Sequence, residues 1–178
     1  MEEAFEKILI DGERIKNRVE ELAEEIITDF TDREIHIVGI LKGSFIFLAD
    51  LIRAMYKNRK HIRIDFITVS SYGNGAVFSG EVKFERELKV DIEGKSILLV
   101  DDIMDTGNTL FYVKRKLMEM EAAIVKTCVL LDKPARRQIP GFSPDYYGFT
   151  IEDEFVVGYG LDYAGYHREK PHIAVLKF

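Results

Sequence analysis

Residues 97–110 read ILLVDDIMDTGNTL. The opening run Ile97, Leu98, Leu99, Val100 is continuous rather than alternating, the pattern of a strand covered on both faces, as in a parallel sheet between helices. Two carboxylates, Asp101 and Asp102, close that strand. A tight turn with Asp105, Thr106 and Gly107 follows. Helical periodicity then starts near Thr109, with Leu110, Val113, Leu117 and Met120 on its inner face. In a parallel α/β sheet, ligands bind at the carboxyl ends of strands. A helix N-terminus behind a Gly-containing loop collects anions. The stretch therefore predicts an α/β fold with an anion cradle and a carboxylate pair beside it.

Upstream, residues 11–30 form an amphipathic helical pattern through Ile15, Val19, Leu22, Ile26 and Phe30. Residues 34–41 read as a buried strand with Lys42-Gly43-Ser44 as its turn. A second helix runs from Phe45 to about Asn58, with Phe47, Leu48, Leu51, Ile52 and Met55 inward, and residues 61–69 form the next strand. That β-α-β order favours parallel strands. Residues 70–80, SSYGNGAVFSG, are too long and too rich in small residues for a plain hairpin turn. They read equally as a lid and as a loop without function. Residues 81–90 alternate, so the segments on either side of this loop read as an antiparallel pair on the main sheet. Downstream, a strand over 123–131 ends at Asp132-Lys133-Pro134, and a loop with Arg136 and Arg137 covers 135–144. Residues 147–151, 154–159 and 172–178 are strand-like, the last two joined by a polar and aromatic connection.

The chain of 178 residues suits one domain with a real core. Its net charge of −6 counts against a nucleic-acid partner, although a dense basic cluster stands at 133–137. The single cysteine, Cys128, lies in an apolar run and reads as a small core residue. His36, His61, His167 and His172 lack metal-ligand spacing and read as ordinary strand and loop residues. The charged opening over residues 1–7 does not read as a secretory leader. No apolar run approaches the roughly 18 residues of a membrane span. The expected compartment is the cytoplasm, with no membrane partner.

In a parallel sheet Lys42, the Asp101/Asp102 pair and Lys133 converge along one edge. The loop 105–109 suits a monophosphate, through backbone N–H groups, the hydroxyls of Thr106 and Thr109, and close approach at Gly107. It lacks the Gly-Lys-Ser/Thr ending of a P-loop. The carboxylates suit sugar hydroxyls, and Mg²⁺ through its waters. The competing reading is that the acids merely cap the helix. A cap does not require two adjacent acids, a third beyond them and then Thr-Gly-x-Thr. From the residues alone Phe155 reads as core, and Lys133 and Arg168 equally as surface cations. A buried Asp162, between Leu161 and Tyr163, would need a partner.

Residues 97–110 resemble the signature of the phosphoribosyltransferases. LKGS at 41–44, SSYGNG at 70–75, LLDKPARR at 130–137 and EFVVGYGLDY at 154–163, followed by Arg168, resemble the hypoxanthine-guanine branch. The segments come in the same order over nearly the whole chain. The resemblance implies a type I phosphoribosyltransferase fold over 1–178: an α/β domain with a mostly parallel central sheet flanked by helices. It adds a mobile lid loop at about 70–81, and a small hood formed by the N-terminal segment and about 134–178. It implies purine salvage: transfer of the 5-phosphoribosyl group from phosphoribosyl pyrophosphate to N9 of hypoxanthine or guanine. The products would be IMP or GMP and pyrophosphate, and the cofactor Mg²⁺.

Position by position, the resemblance implies ribose hydroxyls on Asp101 and Asp102, which would also meet Mg²⁺ through ribose or water. It makes Asp105 the general acid/base near purine N7, and Asp105, Thr106, Gly107, Asn108 and Thr109 the 5′-phosphate loop. Lys42 and Gly43 match a pyrophosphate loop that often holds a cis peptide, and Ser71 and Tyr72 match the lid. Lys133 matches the donor to the purine 6-oxo group, Phe155 the ring stacked on the base and Val156 the backbone that reads the purine edge. Asp162 matches a residue beside the purine and a ligand of a second Mg²⁺, and Arg168 an arginine facing pyrophosphate. A homodimer or homotetramer is implied. The chain departs from its relatives at Asp101, where Glu is more frequent, at His167, where Tyr or Phe is usual, and at Val77-Phe78 in the lid. A pyrimidine or xanthine transferase using the same donor is one competitor. An RNA-binding regulator on the same fold is another, and the acidic balance counts against it.

Overall fold

The computed structural model describes residues 5–30, 34–56, 61–71, 82–86, 88 and 91–177. In chain order the elements are β1 (Phe5–Ile10), α1 (Gly12–Asp29), β2 (Ile35–Leu41), α2 (Phe45–Met55), β3 (Ile62–Ser71), β4 (Val82–Arg86), β5 (Ser96–Met104), α3 (Asn108–Glu119), β6 (Ile124–Asp132), β7 (Tyr146–Thr150), β8 (Val156–Val157) and β9 (Ile173–Leu176). A 3₁₀ turn at Pro134–Arg136 follows β6.

The apolar run of the motif lies in β5, near the middle of a sheet ordered β4-β3-β2-β5-β6-β7. β2, β3, β5, β6 and β7 are mutually parallel, and β4 is antiparallel to β3. Because alternate strand residues face opposite sides, β5 serves two cores. Leu98 and Val100 pack with Val19, Leu22 and Ile26 of α1 and with Phe47, Leu48 and Leu51 of α2. Ile97 and Leu99 pack with Leu110, Val113 and Leu117 of α3. This two-sided burial is why the run is continuous in sequence. Asp11 caps α1, its carboxylate accepting from Arg14 N at 2.9 Å. Cys128 is fully buried, and burial pushes its thiol up, so it is an inert core residue as expected. No helix among the described residues is long and apolar enough to cross a membrane.

A second, antiparallel sheet, β1-β9-β8, forms the hood. Its Ile10, Val156, Ile173 and Val175 join the core that α1 and α2 cover, which fixes the hood to the body. Three expectations change here, and one strand is new. The hood does not begin near residue 134, because β7 pairs parallel with β6 in the main sheet; its C-terminal part starts beyond Thr150. Residues 5–10, which carry no strand signal of their own, become a strand by pairing with β9. The strand expected over 154–159 shrinks to Val156–Val157, because Gly158, Tyr159 and Gly160 adopt φ of +103°, +50° and +105°. Met120 is 45% exposed rather than inward, since α3 stops at Glu119 and the chain turns at Glu121 with φ +63°. The antiparallel pair of β3 and β4 is as expected, and most of the lid segment, including Tyr72, Val77 and Phe78, lies outside the described residues.

Candidate active site

The parallel strands β2, β5 and β6 end side by side, with Gly39 paired to Val100 and Met104 to Asp132. The turns that leave these three strands therefore meet at one edge of the sheet.

At the end of β5, Asp101 is buried, and its Oδ1 accepts from Asp102 N at 2.9 Å. Asp102 Oδ1 accepts from Ile103 N at 2.8 Å. The two carboxyls are neighbours at the end of the strand, and each affects the other's ionisation. Burial, and then the Asp102 charge, push Asp101 well above the usual carboxylate range. Burial raises Asp102 as well, opposed by hydrogen bonds from Asp101 and Ile103 and by the Arg168 charge. An acid whose pKa is raised by folding costs stability as pH climbs from its unfolded value, near 3.8, through its folded one. That cost is in full effect above the folded pKa. Asn at position 101 keeps the acceptor and supplies an N–H to Asp102. Asp101→Asn is therefore expected to raise the thermal midpoint of the ligand-free protein by about 2–4 °C, the shift that ~1 kcal/mol gives a domain of this size. A thermal scan checks this, and a lower midpoint would mean the anion at 101 is stabilising.

The turn after β5 leads into α3. Gly107, with φ +86°, is the N-cap residue and brings no side-chain cap, and no acid stands in the first turn. The acids of the motif are therefore not helix caps; Thr106 Oγ1 accepts from Asn108 N at 3.3 Å, and the start of α3 otherwise suits an anion. A Cβ at Gly107 would come within 3.1 Å of Met104 Cε and 3.2 Å of Arg137 Cδ. The turn is stapled from outside. Arg137 Nη1 donates to Asp105 O at 2.8 Å and Met104 O at 3.3 Å, while Nη2 pairs with Asp132. Gln138 N donates to Thr106 O at 2.9 Å, and Asn108 Nδ2 donates to Gln138 Oε1 at 2.8 Å. A cavity of about 230 Å³ lined by Asp101, Asp102, Asp105, Thr106, Gly107 and Thr109 results. Arg137 and Gln138 escaped the sequence reading as working residues. The doubled arginine after Lys133-Pro134-Ala135 was the available signal.

At the end of β6, Lys133 is only 6% exposed, so it is not a surface cation. Its Nζ donates to Glu154 O at 2.8 Å and lies 3.6 Å from Asp153 Oδ1. Its backbone N–H donates to Met104 O at 3.0 Å, tying it to the end of β5. Phe155 is 45% exposed and is not core; Tyr163 meets it edge-on with centroids 5.8 Å apart. Val156 is buried in β8.

At the end of β2, the Leu41–Lys42 peptide is cis, as the resemblance implies. Gly43 lies against Asp102: a Cβ there would fall 1.6 Å from Asp102 Oδ2. Gly160 lies against Gly43 O in the same way, at 2.1 Å. Arg168 Nη1 donates to Gly160 O at 2.6 Å, and Nη2 pairs with Asp162 Oδ1 at 2.6 Å. Asp162 Oδ2 accepts from Gly165 N at 2.7 Å. Asp162 thus has the partner that its half-buried carboxylate needs, and Arg168 is held in the site. Among the described residues no group of three or more His, Cys, Asp or Glu is placed to hold a metal by itself. Ser71 ends β3 opposite Val82, but its side chain, like Tyr72, lies outside the described residues.

The phosphoribosyl transferase domain family matches residues 7–164. A hypoxanthine-guanine phosphoribosyltransferase of Aquifex aeolicus (strain VF5) is 46% identical over 172 residues, covering 96% of this chain and 94% of that protein. A crystal structure of a hypoxanthine-guanine phosphoribosyltransferase from Bacillus anthracis superposes with a TM-score of 0.92 at 42% identity, over 98% of this chain and 100% of that one. One of a hypoxanthine phosphoribosyltransferase from Staphylococcus aureus gives 0.92 at 39%, over 97% and 92%. On these matches the chain belongs to the phosphoribosyltransferase family, in its hypoxanthine-guanine branch.

Proposed function

We propose that the protein transfers the 5-phosphoribosyl group of phosphoribosyl pyrophosphate to N9 of hypoxanthine or guanine. The observation that carries the base class is Lys133, buried and aimed by its bond to the Glu154 carbonyl. An ammonium only donates, so it accepts a 6-oxo base and opposes a 6-amino one. Phe155, exposed and steadied by Tyr163, offers a face for the purine ring. The start of α3 takes the 5′-phosphate and the acid pair takes the ribose hydroxyls.

In the reaction the bond from ribose C1′ to the pyrophosphate oxygen breaks and its electrons leave with pyrophosphate. Purine N9 bonds to C1′, and Asp105 accepts the N7 proton. Lys42 and Arg168 face the leaving charge. Mg²⁺ fits the pair Asp101/Asp102, a buried and a half-buried oxygen donor whose ionisation burial opposes. They would hold it through water and ribose hydroxyls, with the substrate completing its shell, as hard cations prefer. When bound, Mg²⁺ neutralises charge on the pyrophosphate. Asp162 serves as a further ligand only if Arg168 releases it. The lid, Ser71 and Tyr72 included, would exclude water from the cationic sugar.

The same reading makes the protein a cytoplasmic homodimer or homotetramer. The exposed rings of Phe45 and Tyr56 at the ends of α2 supply apolar surface for self-association, and the unpaired thiol of Cys128 suits a reducing compartment.

A base panel tests the function: protein, sugar donor and Mg²⁺ with hypoxanthine, guanine, xanthine, adenine or uracil. Hypoxanthine or guanine should turn over; uracil or adenine as the sole substrate would refute the reading. Lys133→Ala should bring the kcat/KM ratio of 6-oxo to 6-amino bases down by about tenfold or more, the scale of one charge-assisted hydrogen bond. An unchanged ratio would remove Lys133 from base recognition.

A further inference from the structure

We propose that Arg136 is a positioning residue for Asp105: it clamps one carboxylate oxygen and leaves the other for the purine N7 proton. The inference rests on the role given above to Asp105.

Asp105 Oδ1 is shut off from water and receives no hydrogen bond. Arg136 Nε stands 3.2 Å from it, an ion pair without the alignment of a hydrogen bond. A carboxylate oxygen removed from water needs a compensating charge or donor, and this guanidinium supplies it. Yet both side chains are well exposed, 48% and 39%, and a pair of that kind contributes little to stability. Its consequence is geometric. With Oδ1 engaged, a two-oxygen acid has one oxygen left for a substrate proton.

The far end of the guanidinium continues the arrangement. Arg136 Nη1 lies 3.7 Å from Asp153 Oδ1, and Lys133 Nζ lies 3.6 Å from the same oxygen. Alternating charges thus run from Asp105 through Arg136 and Asp153 to Lys133. The two ends of that chain are the groups assigned to N7 and to the 6-oxo group, neighbouring atoms on one edge of a 6-oxopurine. The backbone under Arg136 is fixed by the 3₁₀ turn, in which Arg136 N donates to Lys133 O at 3.2 Å. The turn that places Lys133 therefore also places the cation that orients Asp105.

A double-mutant cycle with hypoxanthine tests this, using the intact protein, the sugar donor and Mg²⁺. Arg136→Ala should lower kcat about ten- to a hundredfold, the range for a misplaced reacting group, with the KM of the sugar donor and the thermal midpoint nearly unchanged. Arg136→Lys keeps a cation and should recover part of the loss. In an Asp105→Asn background, Arg136→Ala should add almost nothing, because it acts through the carboxylate already removed. Losses that multiply in the double variant, or a change confined to the KM of the donor, would overturn the proposal while leaving the transferase reading intact. If the unsubstituted protein turns over no 6-oxopurine, the functional reading falls and this inference falls with it.

Discussion

Asp105→Ala should lower kcat for hypoxanthine about 10²–10⁴-fold, the usual contribution of a general acid/base. The loss should fall on kcat, because the side chain does not build the site around it. The staple from Arg137 ends on the Asp105 backbone carbonyl, at 2.8 Å, and survives the substitution. The proposed phosphate cradle, Gly107 and the start of α3, uses backbone groups. The ion pair to Arg136 disappears, but it joins two well-exposed side chains and contributes little to folding. The KM of the sugar donor and the thermal midpoint should therefore stay close to those of the parent, while turnover collapses. Steady-state kinetics with each substrate varied in turn checks the split. Near-normal kcat would take Asp105 out of the mechanism. A joint loss of kcat and donor affinity would mean that its side chain shapes the phosphate loop.

The parallel sheet was legible because burial on both faces leaves a mark in one dimension: residues 97–100 have no polar alternation to interrupt them. The order of strand, acid pair, turn and helix was legible for the same reason, since each step is local. The hood was not. β1 has no pattern of its own and becomes a strand only against β9, at the other end of the chain. β8 looked longer because apolar residues surround it, but two glycines and Tyr159 in left-handed backbone end the pairing. Site residues divide along the same line. Asp101, Asp102 and the turn through Thr109 were visible as a motif. Phe155 reads as core in sequence but is exposed, because an apolar residue beside a buried valine looks the same whether its ring faces the core or solvent. Lys133 and Arg168 were ambiguous because a cation in sequence carries no sign of its partner; here those partners are the Glu154 carbonyl and Asp162. Arg137 was missed as a staple for that reason too, since its targets are backbone oxygens of another segment.

Gly43→Ala should lower kcat/KM for phosphoribosyl pyrophosphate about 10²-fold or more, the scale of displacing a catalytic group by roughly an ångström. The sequence shows only a glycine in a turn; the structure shows two walls. On one side, an added Cβ would stand 1.6 Å from Asp102 Oδ2 and 2.4 Å from its Cγ, an overlap no rotation of the methyl relieves. Asp102 is poorly placed to yield, because its Oδ1 accepts from Ile103 N at 2.8 Å. On the other side, retreat of the Gly43 backbone is limited by Gly160, whose own added Cβ would stand 2.1 Å from Gly43 O. Gly160 in turn is held through its carbonyl by Arg168, at 2.6 Å. The methyl therefore expels Asp102 from the proposed ribose site or drives the Lys42-Gly43 loop off the proposed pyrophosphate position, and either outcome acts on the sugar donor first. The proposed purine face, Lys133 and Phe155, lies on other elements, so base affinity should change less. Gly94→Ala is the control: its φ of +68° makes alanine strained there too, but nothing lies within 4 Å of the added Cβ. It should lower the thermal midpoint and leave the donor KM alone. If Gly43→Ala behaves like Gly94→Ala, Asp102 is free to move aside and the contact between the β2 turn and the acid pair does not govern donor binding.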